Sequence, residues 1–213
     1  MRNSDYVIFD VETGGLDDEK NPLLEIALIH IHRTTFKEIS RFTCLIQPYD
    51  DLTIERAALK ANGIKMSDLA EGLTKKVAFK SIREFLKSAN VGRTKFTRPI
   101  MVAHNSPFDI GFTAAFFKAN NDNIWNYIMG QQICTQLECK KLDILGKLNL
   151  AKCCEHFGIT LVNAHRAIAD TEATVKLLIA IITQYRNGGG QEVKKKKDEK
   201  ILTNKKSRDK FKF

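Results

Sequence analysis

An α/β fold is predicted for the 213-residue chain by two periodicities and by what separates them. Short apolar runs rich in β-branched and aromatic residues, at 6–9 and 100–103, read as buried strands. Longer segments with apolar residues three and four apart, at 77–88 and 166–185, read as helices. Polar residues capable of chemistry sit where the first kind of segment gives way to the second.

Taken in order, residues 6–9 (Tyr-Val-Ile-Phe) open the chain as a strand. Asp10 and Glu12 stand at its end, two residues apart, so strand alternation points both carboxylates to one face. Gly14 and Gly15 then break the strand. Residues 23–32 alternate, with Leu24, Ile26 and Leu28 on one face and Glu25, Ala27 and Ile29 on the other. Residues 39–47 do something similar, and Pro48 ends them. The three strands together predict an antiparallel meander. Thr53 is placed to cap a helix over 54–62 that Gly63 stops. A helix follows over 77–88.

Pro99 opens a fourth strand at 100–103. Asn105 or Ser106 can cap a helix beginning at Pro107 and running to about Ala119, with Asp109 in its first turn. Residues 136–145 and 150–157 predict two shorter helices, the second stopped by Gly158. The last helix, 166–185, carries an apolar stripe of Ile168, Thr171, Val175, Leu178 and Ile182, with Asp170 near its start. Residues 187–191 (Asn-Gly-Gly-Gly-Gln) read as a linker, and the lysine-rich remainder as a disordered tail. The chain thus divides into a domain at 1–186 and a linker with tail at 187–213.

Hydrophobic content of 43% and charged content of 28% fit an ordinary soluble protein. No apolar run approaches the ~20 residues of a membrane helix, and residues 1–10 hold no secretory core. Five cysteines, an odd number without a C-x-x-C, argue against both disulfides and structural zinc, and for a reducing compartment. A cytoplasmic location is expected, on the nucleoid in a bacterial cell. The net charge of +9 is uneven. Residues 186–213 hold 11 Lys+Arg against 4 Asp+Glu, while the preceding 185 residues hold 23 against 21. A basic tail is either a handle for a polyanion or a solubilising end.

Two carboxylates on one face repel unless a cation or proton compensates, and Mg²⁺ or Mn²⁺ is the natural partner for oxygen ligands. Asp10, Glu12, Asp109 and Asp170 all fall where strands end or helices begin, so a sheet fold can bring the four together at the carboxyl ends of its strands. Four carboxylates around one cleft call for about two divalent cations, the arrangement that clamps the attacking and leaving oxygens in phosphoryl displacement. His165, five residues before Asp170, could take a proton from an attacking water near neutral pH. His104 reads instead as a hydrogen-bonded, partly buried residue.

Three motifs carry a resemblance. Asp10-Val-Glu12-Thr13-Gly-Gly-Leu16 resembles D-x-E-T-x-G. His104-Asn-Ser-Pro-Phe108-Asp109 resembles H-N-x-x-F-D. His165-Arg-Ala-Ile-Ala-Asp170 resembles H-x-A-x-x-D. In this order they resemble the DEDD-type 3′–5′ exonucleases of the histidine variety; the tyrosine variety would place Tyr where Arg166 stands. The resemblance covers about residues 6–185. It implies a ribonuclease H-like fold, a mixed five-stranded sheet flanked by helices. It implies Asp10, Glu12, Asp109 and Asp170 as ligands of two Mg²⁺ or Mn²⁺ ions and His165 as general base. It further implies that Thr13, Gly14, Leu16 and Phe108 meet the terminal nucleotide. Asn62 falls where the family often has a histidine near the 3′ end, and Gly14 where a threonine is common.

The substrate expected from this resemblance is the 3′ end of single-stranded DNA, shortened by hydrolysis to nucleoside monophosphates. Gly189-Gly190-Gln191 is similar to a segment that follows the exonuclease domain in the epsilon-type proofreading subunit of bacterial DNA polymerase. It suggests proofreading, with a polymerase subunit held through the tail; the tail could instead grip the substrate backbone. Trimming of RNA 3′ ends is the alternative activity. A non-catalytic nucleic-acid-binding module is the alternative from another class, and the five intact motif residues weigh against it.

Overall fold

The structure is a computed structural model, and it describes residues 4–161 and 166–188. His165 and Gly189 onwards, including the Gly-Gly-Gln segment and the basic tail, lie outside the described residues. A five-stranded sheet in the order β3-β2-β1-β4-β5 forms the frame. Strand β1 (Tyr6–Thr13) pairs antiparallel with β2 (Leu23–Ile31), and β2 pairs antiparallel with β3 (Glu38–Leu45). On the other side of β1, β4 (Ile100–Ala103) and β5 (Gln132–Cys134) run parallel to it. The sheet is therefore mixed, as the resemblance implied, and the meander is as the alternation predicts.

The helices are α1 (Arg56–Asn62), α2 (Met66–Ala70), α3 (Lys75–Ser88), α4 (Ser106–Lys118), α5 (Thr135–Lys141), α6 (Leu150–His156) and α7 (Ala167–Arg186). They cover both faces of the sheet. Val7, Phe9 and Val11 face one way and pack with Ile82 and Leu86 of α3 and Phe112, Phe116 and Phe117 of α4. Ile8, Ile29, Ile31 and Val102 face the other way and pack against Leu178 of α7. Every residue of β2 is buried, because a central strand covered on both faces has no solvent side. No described helix is long and apolar enough to cross a membrane.

Three elements depart from the periodicity. The first helix begins after Glu55 rather than Thr53. The backbone of residues 53–55 is held extended by the turn before β2: Thr53 N donates to Lys20 O (2.9 Å), Glu55 N to Gly14 O (2.7 Å), and Asn21 Nδ2 to Thr53 O (2.9 Å). Helix α5 stops at Lys141, short of 145, and positive φ at Asp143 and Gly146 takes the chain out of the helical direction. Strand β5 has three residues, too few for an alternating pattern to show.

Candidate active site

The parallel strands β1 and β4 both end at one edge of the sheet, and α4 begins directly after β4. Asp10 and Glu12 project from the end of β1 on the α7 side, alternating with the core-facing Phe9 and Val11. Asp170 enters from the first turn of α7. Ligand oxygens of Asp10, Glu12 and Asp170 all lie within 4.8 Å of one another. Asp109, in the first turn of α4, is buried (3% exposed) and accepts a hydrogen bond from Val11 N at 3.2 Å. It lies near enough to raise the Asp10 pKa by repulsion, though it stands outside the three-residue group.

The charge balance at this edge is unfavourable without a cation. Burial, then Asp109, Glu12, Asp170 and Glu25, push Asp10 well above the usual carboxylate range. Burial likewise raises Asp109, against hydrogen bonds from backbone amides. Glu12 is pushed from an ordinary 4.5 up to about 7, first by burial, then by Glu25 and Asp170, with Arg166 pulling it down. Three oxygen donors this close, with protonation favoured over mutual repulsion, are a donor set that fits a hard divalent cation.

A pH dependence follows. An acid raised from 4.5 to about 7 binds more protons folded than unfolded between those values. Its contribution to stability is present below pH 4.5 and is lost as pH rises through 7. The metal-free protein is expected to melt lower at pH 7.5 than near pH 5.5. Added Mg²⁺ is expected to raise Tm more at pH 7.5, because ligands must be deprotonated to bind. Melting curves in chelator and in Mg²⁺ check this; a Mg²⁺ shift larger at pH 5.5 would contradict it.

A cleft of about 380 Å³ runs from Glu12 along α1, lined also by Thr13, Gly15, Leu16, Ala58, Asn62 and Phe108. Leu16 is 85% exposed on its rim. Phe108 is steadied by Phe112, ring centroids 4.9 Å apart. Thr13 donates its hydroxyl to Gly15 O at 2.6 Å, which shapes the turn. Asn62 is 5% exposed, and its amide is committed: Nδ2 donates to Thr13 O (3.3 Å) and Oδ1 accepts from Ile64 N (3.0 Å). Gly14 is not among the residues lining the cleft; its N donates to Pro22 O (2.8 Å). A Cβ there would come within 2.7 Å of Pro22 Cδ, which explains the glycine by close approach.

His104 has both ring nitrogens engaged. Nε2 donates to Leu148 O at 2.8 Å and Nδ1 lies 3.0 Å from the Thr135 hydroxyl, while burial lowers its pKa and favours the neutral ring. It braces the loop before α6 and is no ligand. Two site residues were missed by periodicity, Glu25 and Arg166. Glu25 is 2% exposed and pairs with Arg166. The available signal was an acid in the middle of an apolar strand, which burial permits only with a partner.

The RNase_T exonuclease family matches the chain over residues 7–178. Ribonuclease T of Vibrio vulnificus is 30% identical over 203 residues, 91% of each chain. A PolC-type DNA polymerase III of Staphylococcus aureus is 27% identical over 195 residues, and the chain spans 12% of it. Among solved structures, E. coli Exonuclease I in complex with a dT13 oligonucleotide superposes with a TM-score of 0.69 at 21% identity. That likeness covers 85% of this chain and 41% of the other, so the chain spans about two-fifths of that protein.

Proposed function

The chain belongs to the DEDD-type 3′–5′ exonuclease family and is a phosphodiester hydrolase of that class; from that premise we propose that it trims the 3′ ends of single-stranded RNA. The observation that carries the reading is the cleft that ends on Glu12 of the acidic cluster, with Leu16 and Phe108 at its sides. Apolar side chains beside a base give sequence-tolerant contact, because every base has a π-face. RNA is placed ahead of DNA because relatives that match nearly end to end bear the name ribonuclease T. DNA proofreading is the second reading, favoured by Gly189-Gly190-Gln191 and by the polymerase relative. In that reading the basic tail is a handle for a polymerase subunit.

Asp10, Glu12, Asp109 and Asp170 would hold the divalent cations, two of Mg²⁺ or Mn²⁺. Bound there, the ions would supply charge stabilisation for the oxygens of the scissile phosphate. Thr13, Leu16 and Phe108 hold the terminal nucleotide, and His165 accepts the proton of the attacking water as general base. Residues 1–186 form the catalytic unit, with 187–213 as an appended linker and tail.

The test uses 5′-labelled RNA and DNA strands of one sequence with Mg²⁺. A ladder shortening from the 3′ end, faster on RNA, is expected. Faster shortening of DNA would replace trimming by the proofreading reading. Binding of both strands without cleavage would leave a non-catalytic module.

A further inference from the structure

We propose that Arg166 is a positioning residue: clamped on the buried Glu25 carboxylate, it fixes where α7 begins and so holds Asp170 against Asp10 and Glu12. The proposal rests on the exonuclease reading above and adds to it a residue pair that none of the three motifs requires.

Glu25 lies in β2 directly across from Glu12, the two being register partners in the β1–β2 ladder. Side chains so paired stand on one face about 5 Å apart at Cβ, so Glu25 adds a further negative charge beside the acidic cluster. An acid only 2% exposed in that setting requires a cation of its own. Arg166 supplies it with two donors: Nη2 lies 3.1 Å from Glu25 Oε1 and Nε lies 3.3 Å from Oε2. The pairing is bidentate, and that fork constrains orientation as well as distance.

The backbone of the same residue starts the helix. Arg166 caps α7 with no side-chain cap bond, and its carbonyl accepts from Ala169 N (2.9 Å) and Asp170 N (3.1 Å). Side chain and carbonyl of one residue thus tie β2 to the turn that carries Asp170. The pairing with Glu25 favours the charged guanidinium, and the charges of Asp68 and Glu12 add to this. The Arg166 side chain remains 52% exposed, so apolar packing does not hold it in place. His165 is the residue immediately before it in the sequence.

The experiment compares wild type, Arg166→Ala, Arg166→Lys, Glu25→Gln and the Glu25→Gln/Arg166→Ala double variant on a 5′-labelled strand. Mn²⁺ affinity is measured in parallel by calorimetry. Arg166→Ala is expected to lower kcat about 10–100-fold, the scale of a small misplacement of reacting groups. KM is expected to stay within about threefold, because neither Arg166 nor Glu25 lines the nucleotide cleft. Mn²⁺ affinity is expected to fall by about tenfold, as when an outer partner of a ligand is lost. Arg166→Lys keeps the charge without the fork and falls between. The double variant should lose no more than the worse single, since one interaction is removed.

A folded Arg166→Ala protein with kcat and Mn²⁺ affinity within about twofold of wild type would overturn the clamp, as would a double-variant loss equal to the product of the singles. Should Arg166→Ala fail to fold, unchanged kcat and Mn²⁺ affinity in both Arg166→Lys and Glu25→Gln would overturn it equally. Inactivity of the wild type would sink the exonuclease reading and the clamp with it, whereas an active wild type with active variants sinks the clamp alone.

Discussion

Asp10→Ala is expected to abolish strand shortening while leaving binding of the strand measurable. Asp10 stands within 4.8 Å of both Glu12 and Asp170 and is the acid on which the repulsion of the others converges. Its removal takes a ligand from the centre of the cluster, whereas Leu16 and Phe108 still line the cleft. The expected loss exceeds about 10³-fold in kcat, a modest part of the acceleration such hydrolases supply. The variant should also be informative about folding. Asp10 in the metal-free protein is disfavoured by burial and by four neighbouring acids, so the isosteric Asp10→Asn should melt at or above the wild-type Tm at pH 7.5 without metal. Inactivity with an undiminished Tm would separate chemistry from misfolding. Cleavage by Asp10→Ala at more than about a tenth of the wild-type rate would remove Asp10 from the centre of the account.

His165→Ala is expected to lower kcat by about 10²–10⁴-fold with little change in KM, the usual worth of a positioned general base. His165 lies one residue before the Arg166 cap of α7 and five before Asp170 in the sequence. A neutral imidazole near pH 7 can accept the proton that hydrolysis releases from water. The remaining acids are untouched, so Mn²⁺ binding should persist in the variant. Normal turnover near pH 7 would exclude the role, and turnover restored only at higher pH, where hydroxide replaces the base, would support it.

The core strands and the acid positions were legible in the sequence because each rests on a strong local pattern. Tyr6 to Phe9 is apolar and β-branched, and the period of two places Asp10 and Glu12 on one face without any knowledge of the fold. Long helices such as α3 and α7 were legible for the same reason. What escaped was set by tertiary contact. Residues 53–55 stay extended because Gly14 and Lys20 capture their amides, a partner more than 30 positions away in the chain. Strand β5 exists because Met101 to Ala103 offer it a ladder, and three residues hold no period. Alternation placed Glu25 on one face with Ala27 and Ile29, yet β2 is buried throughout and the acid is paired with Arg166, 141 residues further along the chain. Of the residues the resemblance set near the terminal nucleotide, Thr13, Leu16, Asn62 and Phe108 line the cleft and Gly14 does not, and the hydrogen bonds that commit Asn62 to Thr13 and Ile64 appear only in the folded chain.

The most direct test of the central claim, that the acids at the end of β1 form a divalent cation centre, is a calorimetric titration of Mn²⁺ into metal-free protein at pH 7.5, beside Asp10→Asn. Saturable binding of two ions by the wild type is expected, with proton release from Glu12, and loss of at least one ion in the variant. Absence of saturable binding in the folded wild type, or equal binding by the variant, would contradict it.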